Sequence, residues 1–360
     1  MKVLFLTVDD ETRASSRTRV YQFLPYLKQY GIEHDIVAWN GKAIRPRFKH
    51  SKNLFLRLYD LVMSEIINYF VMTAKIIRAL LMIKSYDVVF VQKITLWRLL
   101  FILRALKIKY VYDIDDAIYT AHSAELARIK QNIRVSTAIE YMKTAKHMIV
   151  ELPSTEEVAK QYCDNVTTIL GPIDINRYHP SDKSRHEMVT IGWIGSHGNT
   201  FYLFEIQEVL EKLCGKYDKI QVKLIGTRGF HSKEHKIKLV EWGLQTELHE
   251  LASFDIGIMP LTDDEWSRGK GNYKQLQYMA LGIPSVVSPV GVNTTLLQDG
   301  VNGHLAKTNK EWEEKLSKLI ENKQMREEMG RRSRDMVAKS YSLEASVPKF
   351  VEAITQTYNA

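Results

Sequence analysis

Three cations, Arg268, Lys270 and Lys274, are spaced around two glycines, Gly269 and Gly271. An amphipathic run follows, with Leu276, Met279 and Ala280 on one side, and Gly282-Ile283-Pro284 stops it before an apolar strand ending at Val287. The pattern predicts a helix that starts near Asn272 behind a permissive loop. A helix start of this kind offers unpaired backbone N–H groups and the positive end of the helix dipole. With three cations beside it, a diphosphate is the anion it suits. The plain alternative is a solvated basic loop ahead of an ordinary core helix.

Asp113, Asp115 and Asp116 crowd three acids at the end of a predicted strand, Lys109 to Tyr112. Like charges this close repel, so the cluster points to a polar role, either orienting or deprotonating a hydroxyl or hydrogen-bonding sugar hydroxyls. Helix capping is the alternative. Gln92 and Lys93 end the preceding strand and face the same place, and His122, near in sequence, reads as structural. The first strand-to-helix turn, residues 9–19, brings Ser15, Ser16, Arg17 and Arg19. Ser16 there is either a helix cap or a ligand contact.

The elements that must hold these groups form an α/β pattern. A chain of 360 residues implies two domains. Strands are expected at Lys2–Val8, Asp35–Trp39, Asp87–Val91, Lys109–Tyr112, His147–Val150 and Val166–Leu170, with helices between them, including one from Arg17 to Tyr30 capped by Gly31. A turn-rich segment follows, from Gly171 through Pro180 to Glu187. The pattern then restarts with strands at Val189–Ile194, Gln221–Ile225, Ile256–Met259 and Ser285–Ser288, and a helix from Thr200 to Leu213. The boundaries are therefore 1–172 and 186–340, with a last helix, 343–358, placed to cross back to the first domain. Two parallel sheets wrapped by helices give a doubled Rossmann-like architecture, with ligands expected at the carboxyl ends of the strands and in the crevice between the domains.

The stretch from Arg268 to Val287 resembles the donor-binding motif of GT-B glycosyltransferases, in particular the large retaining family 4 group. In that family a Glu, seven residues and a second Glu precede a small-residue turn and Gly-x-Pro. Here the second position is Gln277, which the resemblance assigns to the nucleotide ribose; the first falls on Gly269 and carries no carboxylate. A divergent branch with a Lys-x-x-x-Lys-x-x-Gln-Tyr-Met pattern is the better match. The turn at residues 191–199 resembles the family's donor-phosphate turn and implies donor contacts for Gly195, Ser196 and His197. Arg228 resembles the strand end where the base lies. The loop with Ser15, Ser16, Arg17 and Arg19 is similar to a Ser-Ser-Arg-x-Arg version of some bacterial members. The resemblance implies transfer of a sugar from a nucleoside-diphosphate sugar, with retention and without a metal. Lys270, Lys274, Asp115 and Asp116 are the expected catalytic groups. Arg268 joins the donor contacts, and Ser16, Arg17, Arg19, Gln92, Lys93 and Asp113 face the acceptor. A sugar-nucleotide epimerase of the same architecture and a non-catalytic scaffold are the competing readings.

Composition sets the remaining bounds. Cys163 and Cys214 lack metal-ligand spacing, which argues against a disulfide framework or zinc site and fits a reducing compartment. No zinc-finger or RNA-binding pattern accompanies the net charge of +8, and the first βα turn has no G-x-G-x-x-G, which disfavours nucleic acid and a nicotinamide cofactor. The apolar run after Lys2 is too short for a signal-peptide core, and no stretch is long enough to span a bilayer. Arg45, Arg47, Lys49, His50, Lys52 and Arg57 precede an apolar stretch, Leu58–Ile83, that also carries Lys75 and Arg78, with Lys84 just beyond it. Residues 45–84 could rest on an anionic membrane face, or pack on the sheet with their charges in water. The expected setting is cytoplasmic, on the inner face of a bacterial membrane, with a glycan or lipid-linked acceptor of the envelope.

Overall fold

The computed structural model describes residues 1–39, 53–119, 128–180, 188–271 and 273–360. Arg45, Arg47, Lys49, His50, Lys52, His122, Asn272 and the charged stretch 181–187 lie outside them. The chain divides into two compact units: Met1–Ile169 with Val347–Ala360, and Leu170–Ser346.

The first unit is built on a six-stranded parallel sheet. Its strands are β1 (Lys2–Thr7), β2 (Glu33–Ala38), β3 (Val88–Gln92), β4 (Tyr110–Ile114), β5 (His147–Val150) and β6 (Val166–Thr168), in the order β2-β1-β3-β4-β5-β6. Short runs of Val, Ile and aromatic residues are buried throughout β3, β4 and β5 because helices cover both faces of the sheet. In the register, Thr7 pairs with Gln92 and Gln92 with Asp113, so the polar ends of three strands emerge together. The single helix expected from Arg17 to Tyr30 is broken. An α-helix, Ala14–Arg19, gives way to 3-10 turns around a second short helix, Leu24–Leu27. Pro25 lies at the start of that second helix, where its missing N–H is tolerated; it could not continue the first. Gly31 ends the segment in the left-handed conformation, φ 69°.

The last helix, Leu343–Asn359, runs from the second unit into the first. Its Phe350 stacks on Phe23 with ring centroids 4.1 Å apart and planes 4° from parallel. By contrast, the helix Leu54–Met82 buries little. Among its described side chains only Ser64 is buried, while Phe55, Leu58, Tyr59, Val62, Ile66, Phe70, Ile77 and Leu81 are exposed.

The second unit holds another six-stranded parallel sheet. It comprises β7 (Val189–Ile194), β8 (Ile220–Ile225), β9 (Ile237–Val240), β10 (Ile256–Met259), β11 (Ser285–Val287) and β12 (His304–Leu305), in the order β12-β11-β10-β7-β8-β9. The edge strands β9 and β12 were not expected from the pattern. The first is an edge strand carrying Lys238, and the second has only two residues. The predicted helix Thr200–Leu213 is divided into Phe201–Phe204 and Gln207–Lys216. Gly282 has φ 66°, and a Cβ on Gly330 would stand 1.9 Å from its carbonyl oxygen, so the helix Lys323–Ser340 packs directly on the Gly-x-Pro turn.

Candidate functional site

In the second unit the cationic loop meets the ends of β7 and β8. The helix Tyr273–Ala280 carries Lys274 in its first turn, with the Lys274 ammonium 4.8 Å from the centre of the Trp193 ring. Lys270 donates to Asn199 Oδ1 at 2.7 Å and lies 4.5 Å from the centre of the Tyr202 ring. Both aromatic supports are buried, and Tyr202 is fixed by a 2.8 Å hydrogen bond to Ser267. Such cation–π contacts are each worth about 0.5–2 kcal/mol. They orient the ammonium groups without supplying counter-charge. Desolvation, and then the neighbouring Lys270, push the Lys274 ammonium down to about 7. Among the described residues no carboxylate forms an ion pair with it.

The adjoining turns are pressed close. Gly226, at the end of β8, has φ 79°, and a Cβ there would lie 2.2 Å from the Gly195 carbonyl oxygen. The Arg228 backbone N–H donates to Thr200 Oγ1 at 3.2 Å, and the Ile194 N–H donates to the Tyr278 hydroxyl at 3.2 Å. Gly195, Ser196, His197 and Arg228 therefore surround the same loop as Lys270 and Lys274, with Ser196, His197 and the Arg228 side chain exposed. Two of the expected groups are already engaged by neighbours. Arg268 is ion-paired with Asp263 at 2.7 Å and stands exposed, so its charge is already matched by a neighbour. Gln277 is buried, and its amide nitrogen is committed to Tyr178 and Glu247.

In the polar cluster of the first unit, Arg19 and Lys93 are each matched to acid. Arg19 and Asp113, expected to face an acceptor, are 2% and 0% exposed and bind each other through two guanidinium nitrogens. Arg19 also donates to the Ile169 carbonyl at 2.6 Å. Desolvation pulls the Arg19 pKa down, but Asp113 overcomes it and holds the group protonated. Removing one partner of such a pair typically costs about 3–5 kcal/mol. Gln92 and Ser16 are likewise interior. Ser16 donates to Gln92 Oε1 at 3.0 Å, and Gln92 donates to Ser15 Oγ at 3.0 Å. These four groups shape the site from behind, because the hydrogen-bond partners that make their burial tolerable also occupy them. Arg17 stays partly exposed and donates to the Glu11 carbonyl.

Lys93 carries the next layer. Its backbone is left-handed, φ 56°, which is costly for a residue with a Cβ and recurs at functional sites. Its ammonium bridges Asp115, at 2.6 Å, and Asp116. Burial lowers its pKa, and the two carboxylates more than reverse that. Asp115 also accepts from the Ser15 hydroxyl and, despite burial, is held below the usual carboxylate range by Lys93. A cavity of about 460 Å³ opens beside these groups, lined by Asp9, Ser15, Trp39, Lys93, Leu96 and Arg134 among others. Among the described residues no group of three or more His, Cys, Asp or Glu is placed to hold a metal.

Sequence reasoning missed several groups. Glu151 follows β5 and is buried among the same charges, and burial pushes it up to about 8. An acid directly after a buried strand is the cue that singled out Asp113, and here it passed unused. Trp39 and Arg134 gave no such cue, and neither did Tyr178, Trp242 and Glu247, whose contacts depend on tertiary structure.

Residues 187–322 match a family model described as glycosyl transferases, group 1. No curated protein matches the chain. Among solved structures it is similar to Anabaena Alr3699/HepE in complex with UDP and glucose, with a TM-score of 0.67, 15% identity and 99% of each chain covered. Sucrose-phosphate synthase from Thermosynechococcus elongatus matches at TM-score 0.68 and 12% identity, again over 99% of both chains. A glycosyltransferase from Rickettsia africae matches at TM-score 0.63 and 13% identity, over 99% of this chain and 98% of that one. At such identities the structural likeness establishes the fold, and the matched segment supplies the chemistry. The chain is thus a glycosyltransferase of the GT-B fold, with a group 1 glycosyl transferase domain at residues 187–322.

Proposed function

We propose that the chain transfers a hexose-like sugar from a nucleoside-diphosphate sugar to a hydroxyl of a glycan or lipid-linked acceptor, in bacterial envelope polysaccharide synthesis. The observation that carries the reading is the Lys270–Lys274 pair: two neighbouring cations at a helix start, one of them lowered to about 7 by burial and by the other. A diphosphate is the anion such a pair suits, and the same groups then stabilise the charge that develops as the nucleoside diphosphate departs. The cations can take up the leaving group's charge in place of a metal ion, and the resemblance to the retaining family 4 group is what supports retention. Anabaena HepE has been solved with UDP-glucose, which supports uridine as the first base to try.

The acceptor reading rests on the first unit. Lys93 is matched by Asp115 and Asp116, so the cavity beside it offers hydrogen-bonding groups and the Trp39 ring, with Arg134 at its lining. That suits a neutral sugar hydroxyl. The exposed apolar stripe of Leu54–Met82 supports attachment at a membrane surface. Across residues 45–84, eight Lys and Arg stand against two acids, which favours anionic lipid. No helix among the described residues is long and apolar enough to cross a membrane.

Three measurements check these readings. In thermal unfolding against UDP, GDP, dTDP, ADP and CMP, one diphosphate should raise the midpoint selectively, and EDTA should leave that shift unchanged. No shift with any of them would remove the donor reading. The pH dependence of binding follows from Lys274. Below pH 7 it is already charged, and above that it must take up a proton when the anion binds. Between pH 7 and 9, where a terminal phosphate is fully ionised, affinity should therefore fall by up to about tenfold per pH unit. Calorimetry in buffers of different ionisation enthalpy should show up to one proton taken up, and Lys274→Met should abolish this uptake; an unchanged uptake in the variant would assign it elsewhere. Finally, the chain should float with vesicles containing anionic lipid and stay behind with neutral ones. Phe55→Glu combined with Phe70→Glu should eliminate flotation, and equal flotation of the variant would contradict the membrane role.

A further inference from the structure

A buried carboxylate outside the recognised motif ties together three side chains of the second unit. Glu247 opens the short helix Glu247–Ala252 and is 4% exposed. Its Oε1 accepts from the Tyr178 hydroxyl at 3.0 Å and from Gln277 Nε2 at 3.2 Å, while its Oε2 accepts from Trp242 Nε1 at 2.8 Å. Gln277 Nε2 also donates to the Tyr178 oxygen at 3.0 Å.

We propose that Glu247 is the positioning residue of the nucleoside subsite, acting through Gln277 and Trp242 rather than by touching the ligand. The inference rests on the donor reading above and adds to it the way this chain recognises ribose. A glutamine amide has two faces, one donating and one accepting, and either could be turned toward a ligand. A carboxylate can only accept. Placed against Gln277, it compels the NH₂ to face inward, where Tyr178 takes its second hydrogen. The carbonyl oxygen is then the group that Gln277 can present, so a neutral side chain behaves as an acceptor, which is what a ribose hydroxyl needs in order to donate. The other oxygen of Glu247 holds the indole of Trp242, which is 39% exposed. Trp242 stands beside the turn at the end of β8, where a Cβ on Gly226 would come within 3.3 Å of the Trp242 Cβ. One carboxylate therefore fixes the acceptor for the sugar ring and an aromatic wall at the strand end expected to lie beside the base. The three donors it receives are also what makes a buried carboxylate tolerable there.

The test compares the ribonucleoside diphosphate that binds the full chain with its 2′-deoxy analogue. The wild type should prefer the ribo form by about tenfold, the worth of one good hydrogen bond. In Glu247→Gln the second amide no longer dictates which way Gln277 turns, and the preference should fall to about twofold or less. Tyr178→Phe keeps the carboxylate and should keep the preference, which separates orientation from a general loosening of the network. Gln277→Leu should lose the preference as Glu247→Gln does, and the double variant should lose no more. Should Glu247→Gln fail to fold, Glu247→Asp serves, because it keeps the charge but withdraws it by one methylene. Full preference in a folded Glu247 variant would overturn the inference, as would a wild type that binds both forms equally. A wild type that binds no nucleoside diphosphate would instead remove the donor reading itself.

Discussion

Lys270 and Lys274 are held beside each other on aromatic rings, and much of the second unit serves to keep them there. Two ammonium groups in a partly desolvated place repel, and neither Trp193 nor Tyr202 can neutralise them. The arrangement persists because each support is itself fixed. Trp193 belongs to the buried strand β7, Tyr202 is tied to Ser267, and Asn199 receives Lys270 from the turn that follows β7. The close approach of Gly195 and Gly226 brings the two strand ends together beside the cations. The structure thus keeps two cations side by side, with Lys274 lowered to about 7 by burial and by Lys270.

The first unit solves the opposite problem. Two of its cations are provided with acid: Arg19 with Asp113 in the interior, and Lys93 with Asp115 and Asp116 nearer the surface. Glu151, pushed up to about 8 by burial, is mostly uncharged at neutral pH and adds hydrogen-bonding capacity without adding charge. A region neutralised from within can hold a hydroxyl-bearing molecule by hydrogen bonds and shape. One unit therefore sets two cations side by side at a helix start, and the other pairs Arg19 and Lys93 with acids, in keeping with a charged donor and a neutral acceptor group.

Much of this was legible in the sequence, and the gaps have physical causes. Runs of Val and Ile marked most of the strands, because burial on both faces demands them, and the Gly-rich cationic loop stood out because it lies within one short segment. Pro25 was equally visible, yet the periodicity of Val20, Phe23, Leu24 and Leu27 outweighed it and suggested one continuous helix. What composition could not separate was a ligand group from an interior one. Arg19 and Asp113 looked like binding residues because they sit at a turn and a strand end. Their partnership spans 94 residues of chain and exists only once the sheet has formed. The same holds for Glu247, which reaches Gln277 across 30 residues. Strand β9 was missed because an edge strand need not be apolar on both faces.

The place where a diphosphate settles decides between these roles, so the most direct measurement is a crystal structure of the chain with the nucleoside diphosphate that stabilises it. The phosphates should lie within ion-pair distance of Lys270 and Lys274 at the start of the helix Tyr273–Ala280, with the ribose against the Gln277 carbonyl. Phosphates found instead beside Lys93 and Arg134 in the cavity of the first unit would contradict it, because the anion site would then lie in that unit and the cationic loop would be ordinary surface.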